Sequence, residues 1–100
     1  MTEQLQKHNL EDLYRAVLCL QTEEECEKFF ADLCTVNELK SISQRVVVAR
    51  MLKDKSVYSD IVAATGASTA TISRVNRALH YGEGGYELVL DRLGEENGAD

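Results

Sequence analysis

Thr69, Ala70, Ser73, Arg74 and Arg77 fall on one side of a helical pattern and carry a chemistry unlike that of an ordinary exposed helix. Small side chains let a helix backbone come close to base edges, while hydroxyl and guanidinium groups hydrogen-bond to bases or phosphates. The other side of the same stretch, Ile72, Val75 and Leu79, has the i, i+3, i+7 spacing of a buried stripe. No acidic residue occurs from Ile61 to His80, which suits a surface that meets phosphate. Ser68, Ser59 and Lys55 complete the set of candidate DNA contacts, with Arg74, Arg77 and Lys55 assigned to phosphate and Thr69, Ala70 and Ser73 to bases.

Such a face needs elements that hold it outward. The stretch from Ser56 to Leu79 reads as a helix-turn-helix, the pair of helices whose second member docks in the major groove. Counting from Tyr58, the apolar positions are Ile61, Val62, Thr65, Ala67, Ile72 and Val75, with Gly66 between two short helical patterns. Glycine takes a left-handed backbone without steric penalty, so Gly66 is the stop signal for the first helix. Ser68 is the start signal for the second, roughly Thr69 to Leu79, as an N-cap whose hydroxyl accepts from a free amide of the next turn. A plain helical corner of the kind found in many small α domains is the bland alternative, and the charge distribution weighs against it.

The 100 residues carry a formal net charge of −6, at first sight a poor match to nucleic acid. The charge is uneven, however. Residues 1–39 hold 3 basic and 9 acidic side chains, a balance of −6; residues 40–80 hold 7 and 2, a balance of +5; residues 81–100 hold 1 and 6, a balance of −5. Positive charge therefore gathers around the corner, as an electrostatic footprint requires.

The length predicts one domain, residues 9–94, preceded by a frayed segment 1–8 and followed by a disordered acidic tail 95–100. Asn9 is expected to cap a first helix bearing Leu10, Leu13, Tyr14, Val17 and Leu18, with Glu11 and Asp12 in its first turn. Thr22 and Glu25 have capping-box spacing at the head of a second helix carrying Cys26, Phe29, Phe30, Leu33 and Cys34. Thr35 and Glu38 repeat that spacing at the head of the longest helix, Val36 to Asp54, about 28 Å long. Its centre, Val46-Val47-Val48-Ala49, is apolar on every side of one turn. A strand is the rival reading for this β-branched run, but neither Gly nor Pro bounds it. A helix wetted on no side needs more neighbours than short flanking helices supply, so a homodimer is inferred. Gly82, Gly84 and Gly85 end the corner's second helix, and Tyr86 to Leu93 forms a last amphipathic one. Gly82-Glu-Gly-Gly lacks the lysine and the strand of a phosphate loop.

Three cysteines, Cys19, Cys26 and Cys34, at apolar helical positions read as free core thiols of a reducing cytoplasm. They form no Cys-x-x-Cys pair, and His8 and His80 are remote from any ligand spacing, so neither a metal nor a cofactor is expected. With no signal peptide and no apolar run of membrane-spanning length, the protein is expected to be soluble and cytoplasmic.

The run from Leu33 to Leu90 resembles the Trp repressor superfamily, and within it the TrpR-related YerC/YecD subgroup of transcription regulators. Ser43-Gln-Arg-Val-Val-Val-Ala-Arg before the corner and Gly66-Ala-Ser-Thr-Ala-Thr-Ile-Ser-Arg within it carry the resemblance. It implies an all-α, Trp repressor-like, intertwined dimer, with one recognition helix per subunit reading half of a palindromic operator on double-stranded DNA. Half-sites about one DNA turn apart, ~34 Å, belong to that family's docking geometry and are carried over from it. The resemblance also implies a ligand pocket between the central and recognition helices, where two arginines sandwich an indole; Arg45 and Arg74 match them, and Thr35 matches its edge. Val75 stands in place of a glycine beside the indole, and Ala78 in place of a serine that holds the ligand's amino end. A branched side chain at Val75 fills space a corepressor needs, so tryptophan is not the expected effector and no other is implied. Phosphate contact or an ion pair is the preferred reading of Arg45 and Arg74. Ser59 and Val62 replace basic residues of the repressor, so operator sequence and phosphate contacts are expected to differ.

The favoured function is thus a sequence-specific, dimeric DNA-binding transcription regulator, a repressor by family. The alternative is a helical protein-interaction module that keeps the fold and binds protein through its acidic outer helices. No nucleophile motif or paired-carboxylate constellation points to an enzyme.

Overall fold

The computed structural model describes residues 2–97. These form six helices, and no strand occurs among the described residues. The chain divides into two compact units, Met1–Leu39 and Lys40–Asp100.

The first unit holds α1 (Thr2–Leu18), α2 (Glu23–Leu33) and the start of α3 (Val36–Lys53). The cap expected at Asn9 is not there: α1 begins at Thr2, and Asn9 is an interior residue. The segment expected to fray is, from Thr2 on, the first turns of that helix. Glu3 to Lys7 are all good helix formers, and Glu3 places negative charge in the first turn. Asn in a helix interior costs only roughly 0.7 kcal/mol, too little to end one.

Both expected capping boxes form. Thr22 Oγ1 accepts from Glu25 N–H at 3.1 Å, while the Glu25 carboxylate accepts from Gln21 N–H at 2.9 Å, one residue beyond the usual partner. At the head of α3 the exchange is reciprocal: Thr35 Oγ1 accepts from Glu38 N–H at 3.1 Å and Glu38 Oε1 accepts from Thr35 N–H at 2.9 Å. The bond from the Thr35 backbone, then that from its side chain, hold the Glu38 carboxyl below its ordinary value.

Among the described side chains of this first unit none is fully buried, and Leu18 and Val36 are 83% and 84% exposed. Phe29 and Phe30 meet edge to face at 5.5 Å between centroids. Cys26 and Cys34 are half-buried free thiols, whereas Cys19 lies just past the end of α1 and is exposed, so the core position expected for it is not found.

The second unit contains the core. From α3 come Val48 and Ala49; from α4 (Tyr58–Thr65), Ile61; from α5 (Thr69–Tyr81), Ile72 and Val75; from α6 (Gly85–Asn97), Leu90; and Ala67 fills the corner between α4 and α5. Met51, Leu52, Leu79 and Tyr86 close its margin. The valine run is divided: Val48 and Ala49 are fully buried, Val46 is 40% exposed, so in one chain this turn is not covered on every side. Lys53 pairs with Asp91, joining the end of α3 to α6 at the surface. Exposed pairs of this kind contribute about 0–1 kcal/mol, so apolar burial is what holds the helices together.

α5 and α6 both run longer than expected, and Gly85 opens α6 instead of belonging to the turn. Of the acidic tail, residues 95–97 continue the α6 backbone and residues 98–100 lie outside the described residues. The position that ends α5 requires glycine for a steric reason, since a Cβ on Gly82 would lie 2.3 Å from the Ala78 carbonyl oxygen.

Ile72 is fully enclosed by helices that also form the corner. Ile72→Ala is expected to lower unfolding free energy by about 2–5 kcal/mol in urea titrations, a large share of the total for a domain of this size.

Candidate nucleic-acid interface

The corner is built by three polar side chains and one glycine. Gly66 has φ 72°, and its N–H donates to the Val62 carbonyl at 2.8 Å, ending α4. No atom stands where its Cβ would be, so the left-handed backbone, and not crowding, is what asks for glycine here. Thr65, expected as one of the apolar positions, has a polar role: its hydroxyl donates to the Ile61 carbonyl at 2.7 Å and accepts from Ala67 N–H at 3.1 Å. Gln44 on α3 donates through Nε2 to the Thr65 carbonyl at 3.0 Å, tying the last turn of α4 to the central helix. Ser68 then caps α5, accepting from Thr71 N–H at 3.1 Å and donating to Thr71 Oγ1 at 3.1 Å.

With the corner fixed, the rotation of α5 follows from burial. Ile72 and Val75 point into the core, so Ser68, Thr69, Ala70, Ser73, Arg74 and Arg77 are all exposed. Ser59 in the first turn of α4 and Lys55 between α3 and α4 are exposed as well. Lys55 has φ 64°, the left-handed region. Its N–H donates to the Leu52 carbonyl at 3.0 Å and that of Ser56 donates to Met51 at 2.9 Å. This pair of bonds is the Schellman arrangement, with lysine where glycine is the usual occupant.

The positions named for a ligand pocket do not share one environment. Val75 is 1% exposed inside the core, Arg45 is half-buried, and Arg74 and Ala78 are exposed. Thr35 belongs to the first unit, and its hydroxyl is engaged in the α3 cap.

Four residues absent from the expected contact set stand beside it. Tyr58, Asn76, His80 and Tyr81 line an open cleft of about 620 Å³ together with Ser73 and Arg77. Ser73, Asn76, Arg77 and His80 have i, i+3, i+4, i+7 spacing, so this polar stripe was visible in the sequence. Tyr58 could not be placed that way, because it enters from another helix. Gln44, 21 residues from its partner, likewise had no local signal.

Among the described residues no group of three His, Cys, Asp or Glu is placed to hold a metal ion. No helix among them is long and apolar enough to cross a membrane.

Helices and corner together define an all-α protein organised on a capped helix pair with an acid-poor outer face. The sequence matches the Trp repressor protein family over residues 8–94, and the chain belongs to that family. It is 50% identical over 93 residues to YerC of Bacillus subtilis (strain 168), a protein described as uncharacterized, covering 93% of this chain and 89% of that one. Among solved structures it is similar to a provisionally assigned Trp repressor from Staphylococcus aureus, with TM-score 0.85, 50% identity and 91% of each chain covered. A TrpR-like protein from Eubacterium eligens ATCC 27750 is similar at TM-score 0.86 and 51% identity, over 92% of this chain and 95% of that one. The all-α fold and the family resemblance read from the sequence are both borne out.

The left-handed backbone at Lys55 costs a non-glycine residue about 1 kcal/mol. Lys55→Gly is therefore expected to raise stability by up to about 1 kcal/mol and the melting temperature by a few degrees, read by thermal denaturation. A fall in melting temperature would mean that the Lys55 side chain contributes more than its backbone costs.

Proposed function

We propose that the protein is a dimeric, sequence-specific DNA-binding transcription regulator that uses α4 and α5 as a helix-turn-helix. The observation that carries this reading is the outer face of α5: Thr69, Ala70, Ser73, Arg74 and Arg77 are exposed beside a capped helix start, within a stretch free of acidic residues from Ile61 to His80. Thr69, Ala70 and Ser73 face bases; Arg74, Arg77 and Lys55 take phosphates. Membership of the Trp repressor family supports the same reading.

A second copy of the chain is part of the proposal. Leu5, Leu10, Tyr14, Leu18, Leu33 and Val36 are all exposed in a unit with no fully buried described side chain, more apolar surface than a helical pair leaves in water. Two recognition helices then address a palindromic operator. Tryptophan is not the effector in this reading, because Val75 occupies the core with a branched side chain where the family's indole lies against a glycine.

Selection of bound duplexes from a random pool, followed by mobility shift at moderate salt, tests the reading. A palindromic consensus is expected, with affinity falling steeply as salt rises. Arg74→Glu together with Arg77→Glu should abolish the shifted band while helix content and sedimentation as a dimer persist. Recovery of no consensus, or binding unaffected by both reversals, would contradict the proposal.

A further inference from the structure

The open cleft beside the base-reading face contains a histidine whose hydrogen bond restricts what its ring can do. We propose that His80 is a phosphate-contacting residue that engages the DNA backbone only as imidazolium, so that DNA binding takes up a proton and tightens as pH falls. The inference rests on the DNA-binding reading above and concerns the regulation of the same surface.

His80 is exposed in the last turn of α5, seven residues beyond Ser73 and three beyond Arg77, and all three line the cleft with Tyr58, Asn76 and Tyr81. No carboxylate is among those six, while every one of them has a side-chain group able to donate a hydrogen bond once His80 is protonated. Ser73 belongs both to the base-facing set and to this cleft, so DNA held by Thr69, Ala70 and Ser73 brings its sugar–phosphate strand to the cleft.

The restriction comes from the helix itself. His80 Nδ1 lies 2.9 Å from the Asn76 carbonyl oxygen. A carbonyl oxygen only accepts, so Nδ1 carries the hydrogen and donates it. That assignment fixes Nε2 as a lone-pair acceptor in the neutral ring. A phosphate oxygen is also an acceptor, and two acceptors facing each other repel. Once Nε2 takes a proton from solvent the ring keeps its bond to Asn76, gains a second donor and carries a positive charge. Only that form gives a charge-assisted bond to phosphate.

The charged surroundings are mixed. Arg77 and Tyr81 on α5 and Tyr58 on α4 share the cleft; Lys53 at the end of α3, Lys55 between α3 and α4, and Glu87 of α6 line a second cleft to which His80 also belongs. Lys53 is paired with Asp91. A phosphate in the cleft shared with Arg77 adds negative charge beside the ring, which favours imidazolium, and by linkage the protonated ring favours the phosphate equally.

Phosphate contacts are sequence-independent, so a fluorescein-labelled duplex of arbitrary sequence, about 30 base pairs long, is a sufficient probe at low salt. Fluorescence anisotropy with the full chain, at fixed ionic strength between about pH 5.5 and pH 8, spans the range in which imidazoles titrate. Wild-type affinity is expected to rise about fivefold or more toward low pH, and the salt slope to steepen by about one per recognition helix. His80→Gln should be flat, at the wild-type affinity of high pH. His80→Lys should be flat at the affinity of low pH. His8→Gln should keep the wild-type profile. Thermal melts of the variants confirm that each is folded. A wild-type profile retained by His80→Gln, or strong wild-type binding with no pH dependence, would overturn this proposal alone. Absence of duplex binding by the wild type at every pH would overturn the DNA-binding reading and this proposal with it.

Discussion

Burial of Ile72 and Val75 against Val48, Ala49 and Ile61 sets the rotation of α5 about its own axis, and the chemistry of the second unit depends on that rotation. A helix that buries two aliphatic residues a turn apart has no freedom to turn its polar side inward. Each such side chain removed from water contributes about 1.5–3 kcal/mol, whereas a surface pair such as Lys53 with Asp91 contributes a fraction of that. The outward display of Thr69, Ala70, Ser73, Arg74 and Arg77 is therefore a consequence of packing, not of any bond those residues make.

Packing fixes rotation, but the angle between α4 and α5 depends on polar bonds. Thr65 closes the end of α4 by bonding both Ile61 and Ala67, Gln44 anchors the same turn to α3, and Ser68 starts α5 two residues after the left-handed Gly66. Ala67, buried beside these bonds, packs into the core at the corner, so a larger side chain there is expected to strain the junction. Lys55 shows the same economy of space at the preceding junction, where a strained backbone turns α3 sharply toward α4.

Much of this arrangement was legible in the residues. Gly66 and Ser68 are strong local signals with one meaning each, and the Ile72–Val75 stripe has the helical period. The two threonine–glutamate boxes formed at Thr22 and Thr35 as their spacing required. Asn9 misled because a capping residue type also sits in helix interiors at small cost, and the helix formers before it decided the matter. Lys55 gave no warning, since lysine is not a residue that seeks a left-handed backbone. The Gln44 bond and the entry of Tyr58 into the cleft are tertiary facts, set by which helices meet. Of the candidate contact face, all eight positions are exposed, while the pocket positions carried over from the family resemblance are dispersed among core, half-buried and exposed environments.

In the proposed function the outer face of α5 is where this protein meets DNA. Backbone amide shifts recorded by NMR during titration with a selected duplex test it most directly. The largest changes are expected on Ser68 to Arg77 and on the Lys55 to Ser59 junction, with the core amides of Val48 and Ala49 nearly unmoved. Changes confined to α1 and α2, with α5 silent, would contradict it.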